Sequence, residues 1–154
     1  MGGFLRDNAM RAQSFELLAS IKFARSEAVK RRTRVVMCGT SDPTAATPSC
    51  GGTRWTAGWL VFESGDTNNT YQPATDTLLR VGEPAPGLIN IRTNSDGNLE
   101  FNGDGTTNEG GSTARFALCD DRGAALGRQI DVPMIGRPKL IYGRAVTISC
   151  TSPS

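Results

Sequence analysis

The stretch LLASIKFARSEAVKRRTRVVMC, residues 17–38, decides the fold because its pattern changes from helical to β-type within a few residues. Leu17, Ile21, Ala24 and Ala28 are spaced at i, i+4, i+7 and i+11, which places them on one face of an α-helix. Beyond this helix the sequence turns to short β-type segments divided by turn residues. The stretch therefore predicts a helix that leads directly into a β-rich region.

The predicted helix extends over residues 7–33, and Met10, Leu18 and Val29 join its apolar face. No glycine or proline interrupts it, and arginines occupy its last turn, where the helix dipole favours cations. At 1.5 Å per residue the helix is roughly 40 Å long, which exceeds the width of a small domain. We therefore expect its start to project free, while the part from Leu17 onward packs on the rest of the chain.

Residues 34–154 are predicted to form a β-rich head, and residues 1–154 together a single domain of the α+β class. Trp55 and Trp59 are interpreted as core anchors at the entry to a buried strand. The candidate strands are Arg34–Cys38, Trp59–Glu63, Thr77–Val81, Leu88–Thr93, Asn98–Asn102, Ser112–Leu118, Gln129–Pro133 and Arg144–Cys150.

Two connections in the head carry turn signals. Asn94-Ser95-Asp96-Gly97 predicts a hairpin, since Asp-Gly favours a primed turn. Residues 102–111, with the sequence NGDGTTNEGG, are expected to form a flexible loop.

The composition excludes several kinds of chemistry. The 154 residues contain no histidine, which removes Ser-His-Asp and Cys-His catalysis and histidine metal sites. The chain has neither a GxxxxGK[ST] phosphate loop nor a GxGxxG fingerprint. No apolar run approaches the roughly 20 residues of a membrane span. We therefore expect a protein that is not an enzyme and that uses no cofactor or metal.

The charge is distributed unevenly along the chain. Residues 1–34 have a balance of +5, residues 35–110 a balance of −6 and residues 111–154 a balance of +3. This pattern suggests a positive region built from both ends of the chain, if the fold brings them together. The plain alternative is a solvated helix face with scattered surface charge.

Four cysteines allow three pairings or none. Cys38 with Cys50 closes a short loop rich in proline and glycine, and Cys119 with Cys150 ties the last predicted strand to an inner one. These two bridges are the predicted pairing, and they indicate a periplasmic or extracellular compartment. The alternative is four buried free thiols in a cytosolic protein.

Several segments together resemble the FimT/FimU/GspH family of minor pilins and pseudopilins. They are FARSEAVKR (23–31), VVMC (35–38), WTAGWLVF (55–62), LEFNG (99–103), RFALC (115–119) and IGR (135–137), followed by a terminal Cys150. The resemblance implies a type IV pilin-like fold, in which a long N-terminal amphipathic helix packs on an antiparallel β-sandwich-like head.

The resemblance also implies a setting. Family members begin with a hydrophobic helical half held in the inner membrane, and the abrupt Met1-Gly2-Gly3 start fits the absence of that segment from this chain. The head is then expected to be periplasmic, or extracellular in an assembled type IV pilus. Other major and minor pilins are the expected protein partners.

FimT-like members are linked to DNA uptake in natural transformation and contact DNA through a C-terminal Gly-Arg-x-Arg motif. The matching segment here is Gly136-Arg137-Pro138-Lys139, in which lysine keeps the charge but loses the bidentate fork of arginine. The resemblance favours a FimT-like minor pilin that binds DNA. The alternative is a purely structural minor pilin or a type II secretion pseudopilin that primes filament assembly.

The predicted ligand is double-stranded DNA, bound through its phosphates and independently of sequence. The segment from Gly136 to Lys139 is expected at an exposed hairpin tip or loop, where Pro138 fixes φ and holds Arg137 and Lys139 apart. The predicted DNA-binding residues are Gly136, Arg137, Lys139, Arg144, Arg128, Arg32 and Arg34.

Overall fold

The computed structural model of the protein describes residues 2–51, 55–66, 70–82, 89–93, 98–108, 113–123 and 126–142. It begins with helix α1, Gly2–Arg31, which starts five residues before the predicted boundary. Arg32 ends the helix in the left-handed region with φ of 54°. The Thr33 N–H donates to the Ala28 carbonyl at 3.2 Å, which is the 6→1 bond of a Schellman C-cap.

The predicted apolar face of α1 is buried. Met10, Leu17, Ile21, Ala24 and Ala28 have no exposed surface. The contrast between the two faces is weak, however, because the exposed face also carries large apolar side chains. No helix within the described ranges is long and apolar enough to cross a membrane.

Val29 was predicted to join the buried face, and this prediction was wrong. Its side chain is 44% exposed, like that of Phe15 at 49%. Val29 lies one residue beyond Ala28, and a step of 100° along the helix turns it toward solvent.

The expectation of a free helix start was also wrong. Arg6 pairs with Asp121 at 2.8 Å, and Arg122 donates to Asp7 at 2.8 Å. The carboxylates of both pairs are more than half exposed, whereas the Arg122 side chain is only 15% exposed. Because Met10 is fully buried, the packing of α1 on the head begins well before Leu17.

Eight antiparallel strands in the described ranges form two four-stranded sheets. Sheet 1 has the order β3-β2-β1-β5 and sheet 2 the order β4-β6-β7-β8. The strands are β1 Val35–Gly39, β2 Trp59–Glu63, β3 Thr77–Gly82, β4 Asn90–Thr93, β5 Asn98–Phe101, β6 Ala114–Cys119, β7 Arg128–Val132 and β8 Lys139–Tyr142.

The first seven strands fall within or beside predicted segments, and two predictions about strands need correction. Strands β4 and β5 do not form a hairpin, because β4 pairs with β6 and β5 pairs with β1. The turn predicted at residues 94–97 itself lies outside the described residues, as does the predicted strand Arg144–Cys150. Strand β8 was not predicted. It forms a hairpin with β7, in which Asp131 lies opposite Lys139.

The two sheets and α1 share one core. It contains the buried face of α1 and the inward side chains of both sheets, including Met37, Val61, Phe116 and Ile130. Trp55 and Trp59 are fully buried there, which confirms their role as core anchors. The Trp55 ring lies 4.6 Å from that of Phe116 and 6.4 Å from that of Trp59, measured between centroids.

Sheet 1 is buried on its outer face as well. Val36, Cys38, Leu60 and Phe62 form a second cluster, covered by Cys50, Tyr71 and Leu78. Because both faces are covered, the middle of β1 and β2 is continuously apolar rather than alternating.

The predicted bridge between Cys38 and Cys50 is confirmed, with Cα atoms 5.5 Å apart. It ties the segment that covers the outer face of sheet 1 to strand β1. Cys119 is also disulfide-bonded. Its predicted partner Cys150 lies outside the described residues, so that pairing stays a prediction.

We expect Leu17→Ala to lower the free energy of unfolding by about 2–5 kcal/mol, because it removes a fully buried side chain and leaves a cavity between α1 and the sheets. Leu5→Ala is the matched control, since Leu5 is on the same helix but 67% exposed. It should change stability by no more than about 0.5 kcal/mol. Urea unfolding of both variants measures the difference, and equal stabilities would contradict the packing of α1 described here.

Candidate functional site

The basic segment predicted to bind DNA lies at the β7–β8 hairpin. The Gly136 N–H donates to the Pro133 carbonyl at 2.8 Å, which closes a four-residue turn with Met134 and Ile135 at its corner. Arg137 follows the turn and is exposed. Lys139 is exposed too, but it already belongs to β8. The predicted hairpin connection is therefore present, and the structure places its two cations on different elements.

Position 136 requires glycine for two reasons: its backbone angle and the lack of room for a side chain. Its φ is 91°, a conformation that side chains disfavour. A Cβ atom added to it would lie 1.9 Å from the Gly105 carbonyl oxygen and 2.9 Å from Nε of Arg25. Glycine thus lets the hairpin turn approach the backbone of residues 102–106 directly.

Arg25 of α1 connects the helix to both of these turns. Its Nε donates to the Gly105 carbonyl at 3.0 Å, and its Nη2 donates to the Ile135 carbonyl at 3.5 Å. The Thr107 N–H donates to the Met134 carbonyl at 2.9 Å and adds a second link between the turns. We call this meeting point of Arg25, Gly105 and Gly136 the glycine junction. It holds the hairpin connection at a defined position against α1.

A cleft of about 590 Å³ lies between α1 and the hairpin connection. Among the described residues that line it, four are cations and none is acidic. The lining residues are Lys22, Arg25, Ser26, Val29, Lys30, Arg137 and Pro138. We call it the basic cleft. It joins positive charge from the first and last thirds of the chain, as the charge distribution suggested.

Two carboxylates lie near the basic cleft. Nζ of Lys30 is 3.7 Å from Glu27, so its charge is partly balanced. Asp104 accepts hydrogen bonds from the hydroxyl of Thr106 at 2.6 Å and from its N–H at 3.0 Å. These bonds, with a smaller contribution from the charge of Arg25, lower the pKa of Asp104 below its usual value. Asp104 is therefore ionised at neutral pH, and the four cations still outnumber these two acids.

Two residues predicted to bind DNA have contacts within the protein. Arg34 pairs with Glu100 and donates to the Ser64 hydroxyl at 3.0 Å, and burial lowers the pKa of its guanidinium. Arg128 lies 4.7 Å from the centre of the Tyr142 ring and donates to the Gly127 carbonyl at 3.2 Å. Neither lines the basic cleft.

The two remaining residues predicted to bind DNA are Arg32 and Arg144. Arg32 is exposed at the end of α1, where its backbone forms the C-cap, and it does not line the basic cleft either. Arg144 lies outside the described residues.

Among the described residues, no group of three or more histidine, cysteine or acidic side chains is arranged to hold a metal ion.

Comparison with protein families finds a match over residues 14–136, which span most of α1, all strands through β7 and the hairpin turn. The matching family is described as "Type II transport protein GspH". The chain belongs to the GspH family.

Two crystal structures of the type IV minor pilin FimU from Pseudomonas aeruginosa share the fold of this GspH-family protein. One matches with a TM-score of 0.73 and 22% identity, covering 96% of this chain and 98% of FimU. The other, in a different crystal form, matches with a TM-score of 0.68 and 21% identity, covering 91% and 98%. No curated protein matches significantly. The predicted type IV pilin-like fold is thus confirmed.

The prediction from sequence missed the contribution of α1 to the basic cleft. Lys22 and Arg25 lie off the apolar face of the predicted helix, and neither is among the predicted DNA-binding residues. Their spacing of three, with Ser26 and Val29 following, places all four side chains on one side of the helix. That spacing was the available signal, but nothing local indicated that the β7–β8 hairpin would face it.

We expect Gly136→Ala to destabilise this GspH-family protein more than Gly123→Ala does. Both glycines have φ of 91°, so both variants carry the backbone penalty of about 1–2 kcal/mol. A Cβ atom at Gly123 meets nothing within 4 Å, whereas at Gly136 it collides with the Gly105 carbonyl. We expect an additional loss of about 2 kcal/mol for Gly136→Ala, measured by chemical unfolding. Equal losses in the two variants would contradict the glycine junction.

Proposed function

We propose that this protein is a minor subunit of a type IV pilus or of a type II secretion pseudopilus, and that its head binds double-stranded DNA through the phosphates during DNA uptake. Membership of the GspH family and the fold shared with FimU support the first part. The proposed location of the head is periplasmic, or extracellular in the filament. Other pilins are the proposed protein partners.

The basic cleft is the observation that carries the DNA-binding part. Lys22, Arg25 and Lys30 from α1 face Arg137 from the hairpin across one concavity, and none of the described residues that line it is acidic. A structural subunit does not need such an arrangement, because gathering like charges costs free energy unless a polyanion neutralises them. DNA releases condensed counterions when cations replace them, which makes binding favourable.

The geometry supports contact with phosphates rather than base edges. The hairpin connection is short, and Pro138 fixes the backbone angle directly after Arg137. Two backbone carbonyls accept hydrogen bonds from Arg25, which fixes the position of its guanidinium in the cleft. Phosphate contacts position a protein on DNA without reading its sequence. This suits a subunit of an uptake machine, which must accept many sequences.

The purely structural alternative is favoured by a different observation. The exposed face of α1 carries Phe4, Phe15 and Val29, whose exposed fractions are 69%, 49% and 44%. Helical geometry places these three side chains within about 40° of one another around the helix axis. Such a face suits packing against neighbouring subunits. Because Val29 also lines the basic cleft, subunit packing there would compete with DNA for the same side of α1.

We expect the head to bind random duplex DNA with Kd of roughly 10⁻⁴–10⁻⁶ M at physiological salt. With three or four phosphate contacts, log K should fall against log salt with a slope of about −3 to −4. Arg137→Ala and Lys22→Ala should each reduce the magnitude of the slope by about 0.9. Fluorescence anisotropy over a salt series measures both quantities.

Arg80→Ala is the matched control for charge. Arg80 pairs with Glu16 on the other flank of α1, at 3.1 Å, and does not line the basic cleft. The variant removes one positive charge from the protein but should leave the slope unchanged. If wild type shows no binding at low salt, or if all three variants bind alike, the structural alternative replaces the DNA-binding proposal.

A further inference from the structure

The β7–β8 turn exposes two large apolar side chains at its tip. Met134 is 53% exposed and Ile135 is 57% exposed. They occupy the two corner positions of the turn that the Gly136 N–H closes onto Pro133, and corner side chains project away from the strands. The apolar residues of the adjoining strand β7, Ile130 and Val132, are fully buried. The tip therefore exposes its apolar side chains, whereas the apolar side chains of the adjoining strand are buried.

Hydrogen bonds fix the backbone of this turn. The Met134 carbonyl accepts from the Thr107 N–H at 2.9 Å, and the Ile135 carbonyl accepts from Nη2 of Arg25 at 3.5 Å. Together with the turn bond of Gly136, these contacts fix the backbone on both sides of the tip. The two side chains are thus presented in a set place, and a partner that covers them pays little to order the backbone.

The tip is directly continuous with the basic cleft. Arg25 lines the cleft and bonds the backbone of Ile135, and Arg137 follows Ile135 by two residues. The apolar tip therefore stands at the rim of a group of cations, of which Lys22, Lys30 and Arg137 are exposed. A partner that has a ridge of negative charge beside a groove would meet both.

We propose that Met134 and Ile135 form a wedge that enters the minor groove of duplex DNA while the basic cleft holds the adjacent phosphate strand. This inference rests on the DNA binding proposed above. The minor groove is about 6 Å wide, and its pattern of donors and acceptors is degenerate. Isoleucine and methionine are among the side chains that other proteins insert between base steps from this groove. Contact there adds affinity with little dependence on sequence.

The test is a double variant, Met134→Ser with Ile135→Ser, in the complete chain. Both side chains are more than half exposed, so we expect the fold to be retained, and unfolding experiments check this. The variant should raise Kd for duplex DNA about tenfold, because contact of two apolar side chains with the groove is lost. The salt slope should stay as in wild type, since no cation is removed.

Leu126→Ser is the matched control for loss of an exposed apolar side chain. Leu126 is 44% exposed and precedes β7, at the opposite end of that strand from the tip. It should bind DNA like wild type. A duplex saturated with netropsin, which occupies the minor groove, should bind wild type about tenfold more weakly and should bind the double variant nearly as well as free duplex.

The possible results distinguish failure of the minor-groove wedge from failure of the proposed DNA binding. If wild type binds DNA and the double variant binds equally well with an equal response to netropsin, the wedge is wrong and phosphate binding stands. If the double variant loses salt slope as well as affinity, the tip acts through the cations and the wedge is overturned. If wild type fails to bind DNA but binds phosphatidylglycerol vesicles through the tip, both proposals fall and the partner is a lipid surface.

Discussion

The burial of one face of α1 is the constraint on which the other contacts depend. Leu17, Ile21 and Ala24 close a core to which both sheets contribute. Once this face is buried, the rotation of α1 is set. Lys22 and Arg25 then face the β7–β8 hairpin, and Glu16 faces β3 on the other flank, where it pairs with Arg80. The position of the basic cleft is thus a consequence of core packing.

Much of this architecture was predictable because it depends on local periodicity. The buried face of α1 follows from apolar spacing near 3.6 residues, and the short strands follow from apolar segments bounded by turn residues. Periodicity was less informative at the edge of that face, where Val29 is exposed although its neighbour Ala28 is buried. Local sequence patterns could not predict which strands pair with one another in each sheet. A strong turn signal separates β4 from β5, yet long-range pairing puts them in different sheets.

The candidate site was predicted only where it depends on local sequence. The segment from Gly136 to Lys139 is recognisable in sequence, and its position at a hairpin follows from the turn residues around it. Strand β8 was missed because it has only four residues and directly follows Pro138. The cations of α1 were missed because they lie more than a hundred residues from the hairpin, and the contacts that bring them together, from Arg25 to two carbonyls, involve backbone atoms that leave no trace in the sequence.

Within the hairpin connection, the residue that supports the loop differs from the residue that carries its charge. Gly136 holds the hairpin in place by its close approach to Gly105, while its neighbour Arg137 is exposed and takes no part in that approach. A change of charge at Arg137 therefore leaves the support of the loop intact. Under the DNA-binding proposal, single substitutions at Arg137 would raise, lower or remove affinity for a polyanion without unfolding the protein. A subunit that binds DNA and one that only builds the filament would then differ by few substitutions on the same scaffold.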